Sequence, residues 1–293
     1  MNRNLSPLAT SPALTADELD EALLRALRED NAVRFAELAA SLPVLPVRAL
    51  IGGEDLLTQA IRLNARHCIE PLFGMGFSMN RPSVRQGLHP LEEAMEARAN
   101  LTLEYLLDFG ADPNAAHSRH GTILRAAALT RTIDSLIPVL CSRGADPNLP
   151  SASDGSTALH AAVSRGETLN IEQLLQAGAD VNAVDIIGRT PLQFAITRLA
   201  EYDPIATILL DHGANPLLPD FGGLTAVDLA RVRGETGLID LLAARVDWEA
   251  LLAPPDFHPP GSPRPPEVLR TLLLDAVAQG NQRRLRDLFD GGG

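Results

Sequence analysis

The stretch Thr157–Ala162 reads TALHAA, and it returns as TPLQFA at Thr190–Ala195 and as TAVDLA at Thr225–Ala230. Working outward from its last alanine, a small residue recurs at Ala60, Ala94, Ala127, Ala162, Ala195 and Ala230, with spacings of 34, 33, 35, 33 and 35. A glycine recurs at Gly76, Gly110, Gly144, Gly178 and Gly213, with spacings of 34, 34, 34 and 35. A third series, Gly53, Gly87, Gly155, Gly188 and Gly223, stands two residues before each threonine-type position, and Gly121 is displaced by one. Three ladders at one period mark a chain made by repetition, in which each unit is too small to bury its own apolar face and must stack on the next.

Each recurring residue type has a physical reason. Thr190 followed by Pro191 suits a helix start, because the hydroxyl accepts from an orphan amide and proline has no amide to leave unpaired. The alanines let a first helix approach a second closely. Leucine pairs such as Leu106–Leu107, Leu174–Leu175 and Leu209–Leu210 end the second helix where neighbouring units bury them. The glycine that follows fits a left-handed helix stop, and Asp112 and Asn114 favour the tight turn beyond it.

This period and phrasing resemble the ankyrin repeat, a turn followed by two antiparallel helices. The resemblance covers roughly Gly52 to Arg245, with the best motifs in the fourth and fifth units. It implies an all-α fold, a solenoid of stacked helix-turn-helix units with β-turn fingers. It also implies that His160 bonds to backbone across a repeat junction. The chain departs from the pattern at Asp55 and His89, which stand where threonine is expected, and at Glu92, Arg125, Gln193 and Asp228, which replace the histidine.

The expected organisation is a flexible arm at 1–16, a divergent capping helix pair at 17–50, and six repeats at 51–247. A proline-rich linker at 248–266 and a helix pair of similar pattern at 267–293 follow. Seven of the thirteen residues from Pro254 to Pro266 are proline, which no helix continues through. Ala276, Val277, Gly280, Leu285 and Leu288 then fall where the family would place them, and capping of the stack is the expected role of this pair.

Composition narrows the function. The formal charge is -12, which argues against the nucleic-acid backbone as a partner, and no apolar run is long enough to span a bilayer. The first sixteen residues lack the apolar core of a secretory signal, so the expected location is cytoplasmic, with translocation into a host cell as the alternative. Lysine is absent and all 25 formal basic residues are arginine. A GC-rich, bacterial coding sequence accounts for this, as does selection against lysine modification in a foreign cytoplasm. Cys68 and Cys141 are two repeat steps apart, beyond disulfide reach at about 8 to 10 Å per helix layer, and read as small buried hydrophobes.

No phosphate loop, GxSxG elbow, CxxC pair or HExxH helix occurs, so no catalytic, cofactor or metal residues are assigned. His117 and His120 read as an exposed loop, and Glu92–Glu93 and Glu201–Asp203 as solvated helix ends. The resemblance implies binding residues at the turns and just after the paired small residues of the first helix. Three residues beyond the register alanine stand Arg165, Arg198 and Arg233, with Arg189 on an adjoining turn. Glu167, Glu201 and Glu235 follow the three and are positioned to neutralise them. Ile186, Ile187 and Phe221 are apolar at turn positions. These seven residues form the expected partner-binding set, because arginine and aromatic side chains dominate interfaces. The expected protein is a monomeric, non-enzymatic adaptor or inhibitor of a protein with an acidic surface, such as a toxin or enzyme; a secreted effector engaging a host protein is the alternative, and an enzyme with its site in the C-terminal segment is the weakest reading.

Overall fold

In a computed structural model, the register alanines lie at the layer junctions: Ala60, Ala94, Ala127, Ala162, Ala195 and Ala230 are all buried. The structure describes residues 15–40, 50–51, 54–83, 87–117, 119–130, 136–198, 203–234 and 236–244. The chain divides into two units, Met1–Ala115 and Ala116–Gly293. The arm at 1–14 and the segments read as a linker and C-terminal helix pair lie outside the described residues.

The N-terminal unit holds α1 (Ala16–Arg28), α2 (Ala32–Ala39), α3 (Leu56–Arg62), α4 (Ile69–Gly74), α5 (Pro90–Glu96) and α6 (Asn100–Asp108). A two-residue strand pair, β1 (Leu50–Ile51) and β2 (Glu54–Asp55), precedes α3. Helix α1 begins at a capping box in which the Thr15 side chain accepts from the Glu18 amide and Glu18 accepts in return from Thr15, an arrangement that contributes about 1 kcal/mol. Leu23 and Leu27 of α1 are buried, as are Phe35 and Leu38 of α2, and the two helices pack on each other. Asp55 performs the threonine's capping role, accepting from the Thr58 amide at 2.8 Å. His89 does not cap α5; its Nδ1 lies 3.1 Å from the Asn80 carbonyl.

The C-terminal unit holds four helix pairs: α7 (Ile123–Ala128) and α8 (Ile137–Ser142), α9 (Ala158–Arg165) and α10 (Thr168–Gln176), α11 (Pro191–Arg198) and α12 (Asp203–Asp211), α13 (Ala226–Arg233) and α14 (Thr236–Ala244). A second strand pair, β3 (Ala116–His117) and β4 (Gly121–Thr122), leads into α7. First helices pack on first helices, α7 on α9, α9 on α11 and α11 on α13, and α8 packs on α10 and α12 on α14. Ile171, Leu174, Leu209 and Leu242 of the second helices are fully buried between them. Among the described residues no helix is long and apolar enough to cross a membrane.

The second helices α4, α6, α8, α10 and α12 close on glycine because the chain must turn with φ positive, for instance +89° at Gly178, where a side chain is strained. Asparagines at the 34-residue period then tie one turn to the next. Asn148 accepts from the Asp180 amide and donates to the Gly178 carbonyl, and Asn182 does the same to the Asn215 amide and the Gly213 carbonyl. In the N-terminal unit Asn80 accepts from the Asp112 amide. The asparagines therefore do more than favour a local turn, since Asn148 and Asn182 each satisfy two backbone groups of the following repeat.

Candidate protein-binding surface

The surface is carried by the turns of the C-terminal unit, and its geometry starts from aspartate. Asp154, Asp185 and Asp220 each accept backbone amides of their own turn: Asp154 from Ser156, Asp185 from Ile187 and Arg189, Asp220 from Gly222 and Leu224. With the turns so shaped, their backbones bond to one another. The Ile186 amide donates to the Asp154 carbonyl at 2.9 Å, and the Phe221 amide donates to the Ile187 carbonyl at 3.0 Å. Gly188 permits this approach, because a Cβ there would stand 2.7 Å from the Phe221 nitrogen.

Backbones consumed in this ladder leave the side chains outside it. Ile186 is 64% exposed, Ile187 47% and Phe221 78%. Val184 and Leu224, on the same two turns, are also exposed; the sequence reading passed over them, although their apolar character at turn positions was the available signal. Ser153 holds the place of Ile186 and Phe221 in the preceding turn, so the tips become apolar along the unit.

The four arginines fall into different situations. Arg165, at the end of α9, is exposed and is not paired with any described residue. Arg233, at the end of α13, is exposed but donates to the Ile196 carbonyl of the preceding layer. Arg198 ends α11, and its side chain lies outside the described residues, as do Glu201 and Glu235. Arg189 is held in the fold: its guanidinium donates twice to Asp185, at 3.0 and 2.8 Å, and lies 4.4 Å from the centre of the Phe194 ring. Burial works against the charged Asp185, but the Arg189 backbone and side chain, with the Ile187 amide, outweigh it and hold the carboxyl below its ordinary value.

Behind the tips, the position of the motif histidine joins each layer to the next. His160 is fully buried; its Nδ1 meets the Thr157 amide at 3.2 Å, and its Nε2 lies 2.9 Å from the Arg189 carbonyl. Burial, more than any neighbour, pushes its pKa down, so the neutral ring with Nε2–H donating is the form that fits. Gln193 reproduces both contacts, accepting from the Thr190 amide at 2.7 Å and donating to the Leu224 carbonyl at 2.7 Å. Arg125 reaches Asp154 of the next turn at 2.8 Å. Gln193 and Arg125 thus keep the histidine's cross-layer bond.

Several sequence readings are corrected. Glu92 and Glu93 are buried, not solvated helix ends; Glu93 receives a bond from Arg62, which also pairs with Glu54 at 2.6 Å. Helix α5 lays the Glu93 carboxylate against α3. His117 is buried in β3 and not in an exposed loop, and its Nδ1 accepts from the Arg119 amide. Cys68 is buried with its thiol pushed up to about 12, first by burial and then by Asp30, and burial raises Cys141 as well. Neither offers a thiolate near neutrality.

The fold and these junctions define a class, and comparison with known proteins agrees with it. Residues 123–220 match the family model of ankyrin repeats in three copies. Similar solved structures include the ankyrin repeat domain of Bcl-3, a member of the IkappaB protein family, at 25% identity and a TM-score of 0.63 over 75% of this chain and 97% of that one. An ankyrin repeat domain from Acinetobacter baumannii AYE is 28% identical, with a TM-score of 0.58 over 64% of this chain and 96% of that one. No curated protein matches the sequence. Residues 123–220 are thus ankyrin repeats, and the described fold is that of ankyrin repeat domains; ankyrin repeats generally mediate protein–protein interaction.

Proposed function

We propose that this protein is a non-enzymatic binding module, an adaptor or inhibitor that holds a protein partner on the turn tips and first-helix ends of its C-terminal unit. The observation that carries the reading is the bonded row of turns, which displays Ile186, Ile187 and Phe221 to solvent. Such a surface is preformed, so docking loses little conformational entropy. Arg165 at the end of α9 adds positive charge in a chain of net charge -12, and this favours an acidic patch on the partner. A neutralised toxin or enzyme fits these features. Arg198 and Arg233 join the surface in this reading, and Arg189 acts by holding the second tip in shape.

The test is affinity capture from the native cell with identification of what is bound. Replacing Ile186, Ile187 and Phe221 together by serine removes the captured partner, and replacing Arg165, Arg198 and Arg233 by glutamate weakens its capture, with helical content and melting preserved in both. Undiminished capture by the serine variant rejects the tips as the site.

A further inference from the structure

The last described layer has an open side. Thr157, His160 and Val163 of the α9 layer are buried, as are Thr190, Gln193 and Ile196 of the α11 layer, because the next first helix packs over them. At the same register, Thr225, Asp228 and Arg231 are half-exposed, and so is Leu229, whose counterpart Phe194 is buried. His160 and Gln193 reach forward to a following repeat, whereas Asp228 turns back on its own helix, accepting from Thr225 at 3.0 and 2.7 Å and from Arg231 at 3.3 Å.

The chain beyond α14 carries the register that would continue the layers. Counting from the register alanine, threonine stands five before it, an aliphatic residue three before, glycine four after, and aliphatic residues nine and twelve after. That pattern is Thr225, Val227, Ala230, Gly234, Ile239 and Leu242 in the last described repeat. It recurs without a gap as Thr271, Leu273, Ala276, Gly280, Leu285 and Leu288. The aliphatic positions are buried in α9–α10 and in α13–α14, and an isolated helix pair has nothing against which to bury them. Ala276 follows Ala230 by 46 residues where other steps are 33 to 35, and the excess coincides with the proline-rich stretch. At about 3.4 Å per residue, the 26 residues from Arg245 to Arg270 readily span the about 10 Å to the next helix layer.

We propose that residues 271–289 are a seventh repeat layer seated on the open side of α13 and α14, with the proline-rich segment inserted where the other repeats carry their turn finger. The occupant of that face is this chain's own segment.

Hydrogen exchange on the full chain tests this. In the monomer, amides of 271–289 exchange slowly, and the Leu285→Asp/Leu288→Asp variant speeds exchange in α13 and α14 by about tenfold or more while α1 and α2 stay unchanged. Should the double variant not fold, Leu285→Ala decides on the same readout. Amides of 271–289 exchanging at the rate of an unstructured chain, or α13 and α14 indifferent to the substitutions, overturn the proposal. Protection that appears only with a doubled mass in sedimentation also overturns it, since the segment would then sit on a second copy.

Discussion

The junction between α3 and α5 and the junction between α9 and α11 solve one packing problem with different chemistry. In the N-terminal unit, Arg62 lies between Glu54 and Glu93, with a buried Glu93 oxygen left without a hydrogen bond among the described residues. In the C-terminal unit, a neutral His160 or Gln193 links two backbone groups and leaves little charge behind. Helix layers therefore tolerate either solution, but an ion cluster is costly to break whereas a neutral bridge can be replaced by another of similar reach.

The largest effect is expected where charge is stranded. Arg62→Met removes the cation from Glu54 and Glu93 and lowers the stability of the N-terminal unit by about 3 kcal/mol, read as a lowered denaturant midpoint, and adding Glu93→Gln recovers part of the loss. A variant as stable as the parent would show that the cluster is not a strained junction. Next, Ala162→Leu overfills the contact of α9 with α11 and costs about 2 kcal/mol, seen in thermal melting.

A smaller effect sharpens the comparison. His160→Ala orphans the Thr157 amide and the Arg189 carbonyl and costs about 1–2 kcal/mol, whereas His160→Gln, copying Gln193, stays within about 0.5 kcal/mol of the parent. Equal losses in both variants would reject the bridge as the reason for the histidine. Smallest of the four, Asn148→Ala removes an exposed link between turns and costs about 1 kcal/mol, measured by chemical denaturation.

Acid should drive the two junctions in opposite directions. Burial raises Glu93 despite the pull of Arg62, so its stabilising contribution is full below the ordinary carboxylate range and is lost as pH rises through the raised value. Burial lowers His160, so its contribution is present above about 6.5 and is lost as pH falls through the lowered value. Denaturation of the His160→Gln variant should be flatter between neutrality and pH 5 than that of the parent.

Much of this was legible before any coordinates. The buried alanine series, the glycine stops and the turn at Asp112 and Asn114 followed from the period, because repeated backbone geometry demands the same small, positive-φ or turn-forming residue at each step. The exposed tips were legible too, as apolar residues at turn positions. Arg189 was placed on the surface by its neighbours in sequence, yet Asp185, four residues before it, holds it inward. Glu93 looked solvated because its acidic neighbour suggested a helix surface, and only the face that α5 turns toward α3 shows otherwise.

The sequence by itself determined the period, the helix pairs and the order of the layers, since these depend on local spacing and on which residue types tolerate each backbone turn. Tertiary structure alone decided which charges are buried and that Arg189 is held by Asp185. Those outcomes depend on what lies opposite each side chain about one repeat away, and spacing along the chain does not specify that geometry.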